Sequence, residues 1–271
     1  MDDKDFIRFL YRTGHFWGPA NPDGWNVQPK DLPHLGLGDR PAVLAVQSFQ
    51  RADANLEVFT QALHGRSAAA DGDVGPATRA LAAQPRCPVP DHPPPPGVRV
   101  KAEDPGLQRV LDSMQDWAAA GSGSWPAAGC DPERRGVHSI RVAINTAGAP
   151  AAVKAYMSQS LAAVVECYAE MGLAVRYVLD GGDGEIVKRF ERLAGSVIGW
   201  NEFPRGGSCS QISGRLDSGY SPNGQLWACL ECHETGHGVG LQHTRGSIMN
   251  PSIPTAFPSR SGATPAESTG S

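Results

Sequence analysis

Residues 233–243 read HETGHGVGLQH. In an α-helix, side chains four residues apart stand one above the other, so His233 and His237 share a face and both imidazoles reach one metal ion. Glu234 follows the first histidine and falls beside that ion, where a carboxylate can hold and deprotonate a water. Gly240 can take the left-handed conformation that ends a helix, and the chain then turns back to bring His243 in as a third ligand. Five fixed positions match by chance in roughly one such chain in 10⁴. The stretch therefore predicts a helix, a sharp reversal and a three-histidine metal centre.

Working upstream, the metal-bearing helix is expected to start near Gln225. Residues 206–224, rich in Gly, Ser, Pro and Asn, read as a surface loop. SVIGWNEF (196–203) reads as a strand after an amphipathic helical stretch carrying Ile186, Phe190 and Leu193. Leu173, Val175, Tyr177 and Leu179 alternate as a strand, as do Ile140, Val142 and Ile144. Between these two, Val153, Tyr156, Ser160, Val164, Cys167 and Met171 recur at helical spacing. The region from about 100 to 256 is thus mixed α and β.

The first 83 residues carry a different pattern. Phe6, Ile7, Leu10 and Tyr11 lie on one helix; Val43, Val46 and Phe49 on a second; Leu56, Phe59 and Leu63 on a third. DGDVGPATRAL (71–81) is a turn and then a helix opening near Pro76. At 84–98 the composition changes to QPRCPVPDHPPPPGV, which predicts an extended polyproline linker. The tail from Ser259, SRSGATPAESTGS, is small and polar and predicts disorder.

With 271 residues and 40% hydrophobic content, the chain can bury a real core. No apolar run approaches the ~18 residues of a membrane span. Twenty-four basic against 28 acidic residues leave a net charge of -4, which gives no reason to expect nucleic acid or an anionic membrane as partner. MDDKDFIRFLYRTG, at the N-terminus, lacks the basic start and apolar stretch of a secretory signal, whereas six cysteines fit an exported protein as well as an intracellular one.

The pattern His233, Glu234, His237, Gly240, His243 resembles that of the metzincin metallopeptidases, and SIMNPS (247–252) resembles their Met-turn, with Met249 as its methionine. The short gap from His243 to Met249 looks like the matrixin branch. The resemblance implies an α+β catalytic domain with a twisted mixed sheet, two main helices and a cleft across one catalytic zinc ion. It also implies a monomeric zinc endopeptidase acting on proteins or peptides. Three neutral imidazoles leave a fourth zinc position for water, and Glu234 would act as general base.

PRCPVPD (85–91) resembles the matrixin cysteine switch, in which a cysteine sulfur occupies the catalytic zinc and keeps the proenzyme inactive. By that resemblance Cys87 is an inhibitory ligand flanked by Arg86 and Asp91, with Pro88 replacing the family's glycine. FLYRTGHF, VLAVQSFQ and DGDVGPATRAL resemble the helical peptidoglycan-binding-like fold of matrixin propeptides and bacterial wall-binding modules. Peptidoglycan is the partner this implies, with an extracellular or wall-associated location; a cytoplasmic or phage-associated one stays open.

The expected division is 1–84 helical module, 85–99 linker with switch, 100–258 peptidase domain and 259–271 tail. Other readings compete. Cys87 would also serve as an ordinary disulfide cysteine. A wall-associated lytic peptidase would use the same chemistry on cross-bridges. CLECH (229–233) matches a c-type haem attachment pattern, but that leaves Glu234, His237 and His243 without a role. DGGDGE (180–185) lacks the EF-hand ligand pattern and reads as a solvated turn rather than a calcium site.

Overall fold

The computed structural model describes residues 1–64, 69–95, 102, 105–121, 139–205 and 211–252. Within them the fold is mixed α+β, with seven α-helices and a five-stranded sheet. The expected disordered tail lies outside the described residues.

The N-terminal part is helical: α1 (Asp3–Arg12), α2 (Arg40–Ala52), α3 (Asn55–His64) and α4 (Pro76–Ala82), with three short 3-10 turns between α1 and α2. Asp2 caps α1 by accepting from the Asp5 amide at 2.8 Å. Pro41 and Pro76 sit in the first turns of α2 and α4, where a missing N–H costs nothing. These elements close on one core of Phe6, Leu10, Phe16, Val46 and Phe49, all fully buried. Helices α1 to α3 follow the spacing of their apolar residues, and α4 its turn and Pro76.

Helix α5 (Pro105–Ala119) is not among the elements expected from the sequence pattern. Val110, Met114 and Trp117 give it a helical stripe, and its position after a proline-rich stretch masks that signal. It stands between two cores: Leu111 packs with the N-terminal helices, while Val110, Met114 and Trp117 pack with Cys87, Val89, Trp200 and Phe203.

Five strands follow: β1 (Ile140–Asn145), β2 (Val175–Leu179), β3 (Ile186–Glu191), β4 (Gly199–Asn201) and β5 (Ile212–Asp217), with α6 (Ala151–Glu170) crossing from β1 to β2 and α7 (Gly224–Gly238) closing the fold. Their order is β2-β1-β3-β5-β4, parallel throughout except for β4, which runs antiparallel to β5 along one edge. Ile140, Val142, Ile144, Ile186, Phe190, Ile212 and Leu216 form the core with the buried faces of α6 and α7.

Two expectations are overturned here. The stretch with Ile186, Phe190 and Leu193 is not helical; residues 186–191 are strand β3. Ile186 and Phe190 stand four apart, a spacing that fits both periods. Lys188, which should have exposed the alternation, is itself buried beside them and so mimics a polar interruption. Nor is 206–224 a surface loop throughout, because 212–217 is strand β5 between β3 and β4. Its small residue is a packing requirement: a Cβ at Gly214 would run into the Asn201 side chain and meet Lys188 Cγ at 2.9 Å.

Lys188 is paired across the core with Glu231 of α7 at 2.6 Å and donates to Thr235 Oγ1 at 2.8 Å. Both charges are fully buried, so losing either partner would strand the other at a cost of about 3–5 kcal/mol. Tyr177 of β2 also reaches Thr235, at 2.9 Å. On the opposite flank, α7 is knit to α6 through Tyr168, whose hydroxyl donates to the Cys232 carbonyl at 2.6 Å. Helix α7 is therefore held from the sheet and from α6 at once, which fixes the direction of its remaining face.

Candidate metal centre

That remaining face carries His233, Glu234 and His237, all buried. Asn223 caps the start of the helix by accepting from the Leu226 amide at 2.9 Å. At the other end Gly240 takes φ +92°, the Leu241 amide bonds the Gly236 carbonyl at 2.8 Å, and the Gly240 amide bonds that of His237 at 2.9 Å. This pair of bonds is a Schellman stop, and it turns the chain so that His243 faces back toward the helix. The Nε2 atoms of His233 and His237 stand 3.1 Å apart, and the His243 ring centroid lies 5.1 and 4.9 Å from theirs.

Each histidine is oriented by its other nitrogen. His233 Nδ1 bonds the Ile248 carbonyl at 2.9 Å, His237 Nδ1 the Leu241 carbonyl at 2.8 Å, and His243 Nδ1 lies 2.6 Å from Asp91 Oδ1. A carbonyl accepts only, so Nδ1 carries the proton in the first two and Nε2 presents its lone pair, the tautomer a metal ligand requires. His243 Nε2 is buried with no partner. Burial pushes His233 down to about 3 and His237 well below the usual histidine range, so both imidazoles are neutral.

Cys87 completes the group. Its Sγ lies 3.4 Å from His237 Nε2 and 3.7 Å from Glu234 Oε2. The Sγ and one ring nitrogen from each histidine all lie within 4.8 Å of one another, so the buried cluster of Cys87, His233, His237 and His243 can hold a metal ion. Cys87 is a free cysteine. Burial and the facing Glu234 carboxylate push its thiol well up, a field that a bound cation would reverse. Glu234 is likewise raised by burial, to about 8, against the pull of the Lys188 ammonium. Its Oε1 is buried without a partner.

Residues 85–95 are not the free spacer expected of a proline-rich linker; residues 96–99 of it lie outside the described residues. The segment is a strap. The Arg86 amide bonds the Ser196 carbonyl at 3.1 Å, the Cys87 amide bonds that of Pro251 at 3.2 Å, and Arg86 bridges Val197 in parallel and Ser252 in antiparallel sense. Arg86 is buried, with its guanidinium 5.2 and 5.8 Å from the Phe9 and Phe49 rings. The Asp91 amide bonds the Thr13 carbonyl at 2.8 Å. Arg86, Cys87, Val89 and Asp91, which alternate with prolines here, are all buried.

Asp91 joins the strap to both sides. Its carboxylate lies 2.6 Å from His243 Nδ1, 2.9 Å from His15 Nε2 and 3.4 Å from Arg86 Nη2. Burial alone would raise it, but the charges of His15 and Arg86 and the hydrogen bonds of His15 and His243 hold the carboxyl well below its usual range. His15 is a site residue that the sequence does not single out. Nothing in its spacing marks it, since its partner is 76 residues away in the chain.

Met249 sits buried under the helix, and a Cβ at Gly236 would collide with its sulfur. The turn that carries it also grips the N-terminal helices. The Asn250 amide side chain donates to Asp53 at 2.9 Å and accepts from the Ala54 amide at 3.1 Å, while Asn55 donates to Ser252 Oγ at 2.7 Å. Those helices are thereby docked beside the metal centre. Cys229 and Cys232, of the haem-like pattern, are buried on α7, with Cys232 against Cys167 of α6. At 180–185 the acidic groups serve the turn: Asp180 accepts from Thr146 N at 2.8 Å, and Glu185 accepts from Arg141 N at 2.8 Å.

No family model matches the chain, and no curated protein matches it significantly. Among the described residues, no helix is long and apolar enough to cross a membrane.

Proposed function

We propose that this protein is a zinc-dependent metalloendopeptidase of the matrixin-like metzincin type, held latent by its own residues 86–91. The observation that carries the reading is the convergence of three histidine nitrogens and the Cys87 sulfur within 4.8 Å, beside the Glu234 carboxylate. The donor set of three imidazoles and one thiolate suits zinc, and the partnerless Nε2 of His243 is an atom that such an ion would satisfy. Bound there, zinc supplies Lewis acidity toward a peptide carbonyl and acidifies water.

The chain's own residues divide the remaining work. His233, His237 and His243 would hold the ion, each fixed by a carbonyl or carboxylate behind it. Glu234 is the general base: buried and raised to about 8, it can take a proton from the attacking water and return it to the departing amine near neutral pH. The mixed α+β fold, with its five-stranded, mostly parallel sheet, the long α6 and Met249 beneath α7, supports this reading.

The strap supports latency through its pairing. Arg86 and Cys87 lie extended between Val197, next to edge strand β4, and Pro251–Ser252. A substrate peptide adding to the same edge would need that space. Cys87 thus excludes substrate and water together. The deciding experiment is metal analysis with casein, peptide-library and purified-sacculus digestion, comparing wild type with Glu234→Ala. One zinc per chain in both proteins and hydrolysis only in wild type is expected. Equal hydrolysis by the variant would end the mechanism, and cleavage of sacculi alone would assign the wall cross-bridge as substrate.

A further inference from the structure

Behind the metal centre, on the α6 side of α7, two thiols face each other. Cys167 Sγ and Cys232 Sγ stand 3.6 Å apart, and the two cysteines are free. Tyr168, next to Cys167, donates to the Cys232 carbonyl, so the two helices are held in register at this point. We infer that Cys167 and Cys232 are a redox-active pair, a modification site at which a hydroperoxide is reduced while α6 becomes covalently joined to α7.

The approach the bond needs is small, because a disulfide brings sulfurs to about 2.05 Å and these already lie within van der Waals contact. Access is asymmetric. Cys167 is half-buried and, with Cys232, Glu166, Glu170 and Ile248, lines a cavity of about 260 Å³, while Cys232 is 3% exposed. Oxidant therefore meets Cys167 first. The Cys232 thiol donates toward the Cys167 sulfur, which lowers Cys167 to about 7 and leaves thiolate at neutral pH.

The balance closes in two steps. The Cys167 thiolate attacks the terminal oxygen of a hydroperoxide, the O–O bond breaks, and the departing oxygen takes the proton that the thiol had released to solvent, leaving the sulfenic acid and one alcohol or water. The Cys232 sulfur then attacks the sulfenic sulfur, its thiol proton leaves with the displaced hydroxyl as water, and the disulfide forms; two sulfur-borne electrons have reduced the O–O bond. Cys229, one turn earlier on α7, is the competing partner. It is buried, and the sulfur that stands 3.6 Å from Cys167 Sγ is that of Cys232. The ligand face of α7 is untouched, since Cys232 points to α6 and His233 to the metal centre.

Trypsin separates the participants, with Cys167 on 155–176 and Cys229 and Cys232 together on 216–245. The full-length protein is reduced, freed of reductant, treated with hydrogen peroxide, alkylated and digested without reduction. A 155–176/216–245 cross-link is expected in wild type and in Cys229→Ala, and none in Cys167→Ser. The oxidised wild type should melt roughly 5–10 °C higher and fall back on adding dithiothreitol. Both thiols remaining alkylatable after peroxide, or a cross-link surviving in Cys232→Ala, would overturn the pair. Because neither readout uses peptide hydrolysis, this outcome is independent of the peptidase reading.

Discussion

Helix α7 and the strap at 86–91 deliver ligand atoms to the same point, and they do it by different means. His233 and His237 are brought together by a single helical turn, and the Schellman stop at Gly240 swings His243 in within six more residues. Cys87 arrives from 146 residues before His233, held by backbone pairing to Ser196 and Pro251 and by side chains of the N-terminal helices. The first set is local and follows from covalent geometry. The second exists only while two separate cores stay docked. On the proposed reading, the helix and its stop would supply three ligands, while the fourth, and the carboxylate behind His243, would depend on the strap staying docked.

The largest expected effect falls on the local side. Glu234→Ala should lower peptide hydrolysis by about 10²–10⁴-fold while zinc content, read by atomic absorption, stays unchanged. Loss of zinc together with activity would mean that Glu234 serves the ligand set rather than the chemistry. Lys188→Met tests the support behind the helix. Stranding Glu231 should cost about 3–5 kcal/mol in denaturant unfolding, and adding Glu231→Leu should restore most of it.

The strap side is sharpened by Cys87→Ser, expected to raise activity of the full-length chain about 10- to 100-fold, the equivalent of removing a ligand worth roughly 1.4–2.7 kcal/mol. Unchanged activity would leave the strap as a passive cover. Asp91→Asn lies on the boundary between the two sides. It should weaken zinc binding by about 10- to 100-fold in chelator competition, since a carboxylate behind His243 is replaced by an amide. The smallest effect is Gly236→Ala, about 1–3 kcal/mol of stability from overpacking Met249, read as a lower unfolding midpoint.

The legible parts of the molecule share one property: their signal is short-range. Helices α1 to α3 and α6 follow from apolar spacing, α4 from its turn and Pro76, α7 from the spacing of its histidines, and β1 and β2 from alternation. Strands β3 and β5 break that rule for identifiable reasons. Lys188 is a charge turned inward because Glu231 waits for it across the core, and Gly214 is small because Asn201 and Lys188 fill the space where a side chain would go. In both cases a residue of the wrong character for its position is corrected by a partner distant in sequence. Helix α5 escapes notice although its stripe is regular, because it follows a proline-rich stretch that reads as linker.

The amino-acid sequence alone determined the positions of the three histidines and Glu234, the helix that carries them and the glycine that ends it, because these depend on dihedral preferences and on spacings of eleven residues or fewer. It also marked Cys87, Arg86 and Asp91 as a group, through resemblance. Only the tertiary structure decided that the Cys87 sulfur meets His237, that Asp91 ties His243 to His15, and that the proline-rich segment is a buried strap. Burial decides those contacts. A carboxylate, a guanidinium and three imidazoles share a desolvated space only where several packed elements supply each with a partner, and no local pattern in the chain records which elements those will be.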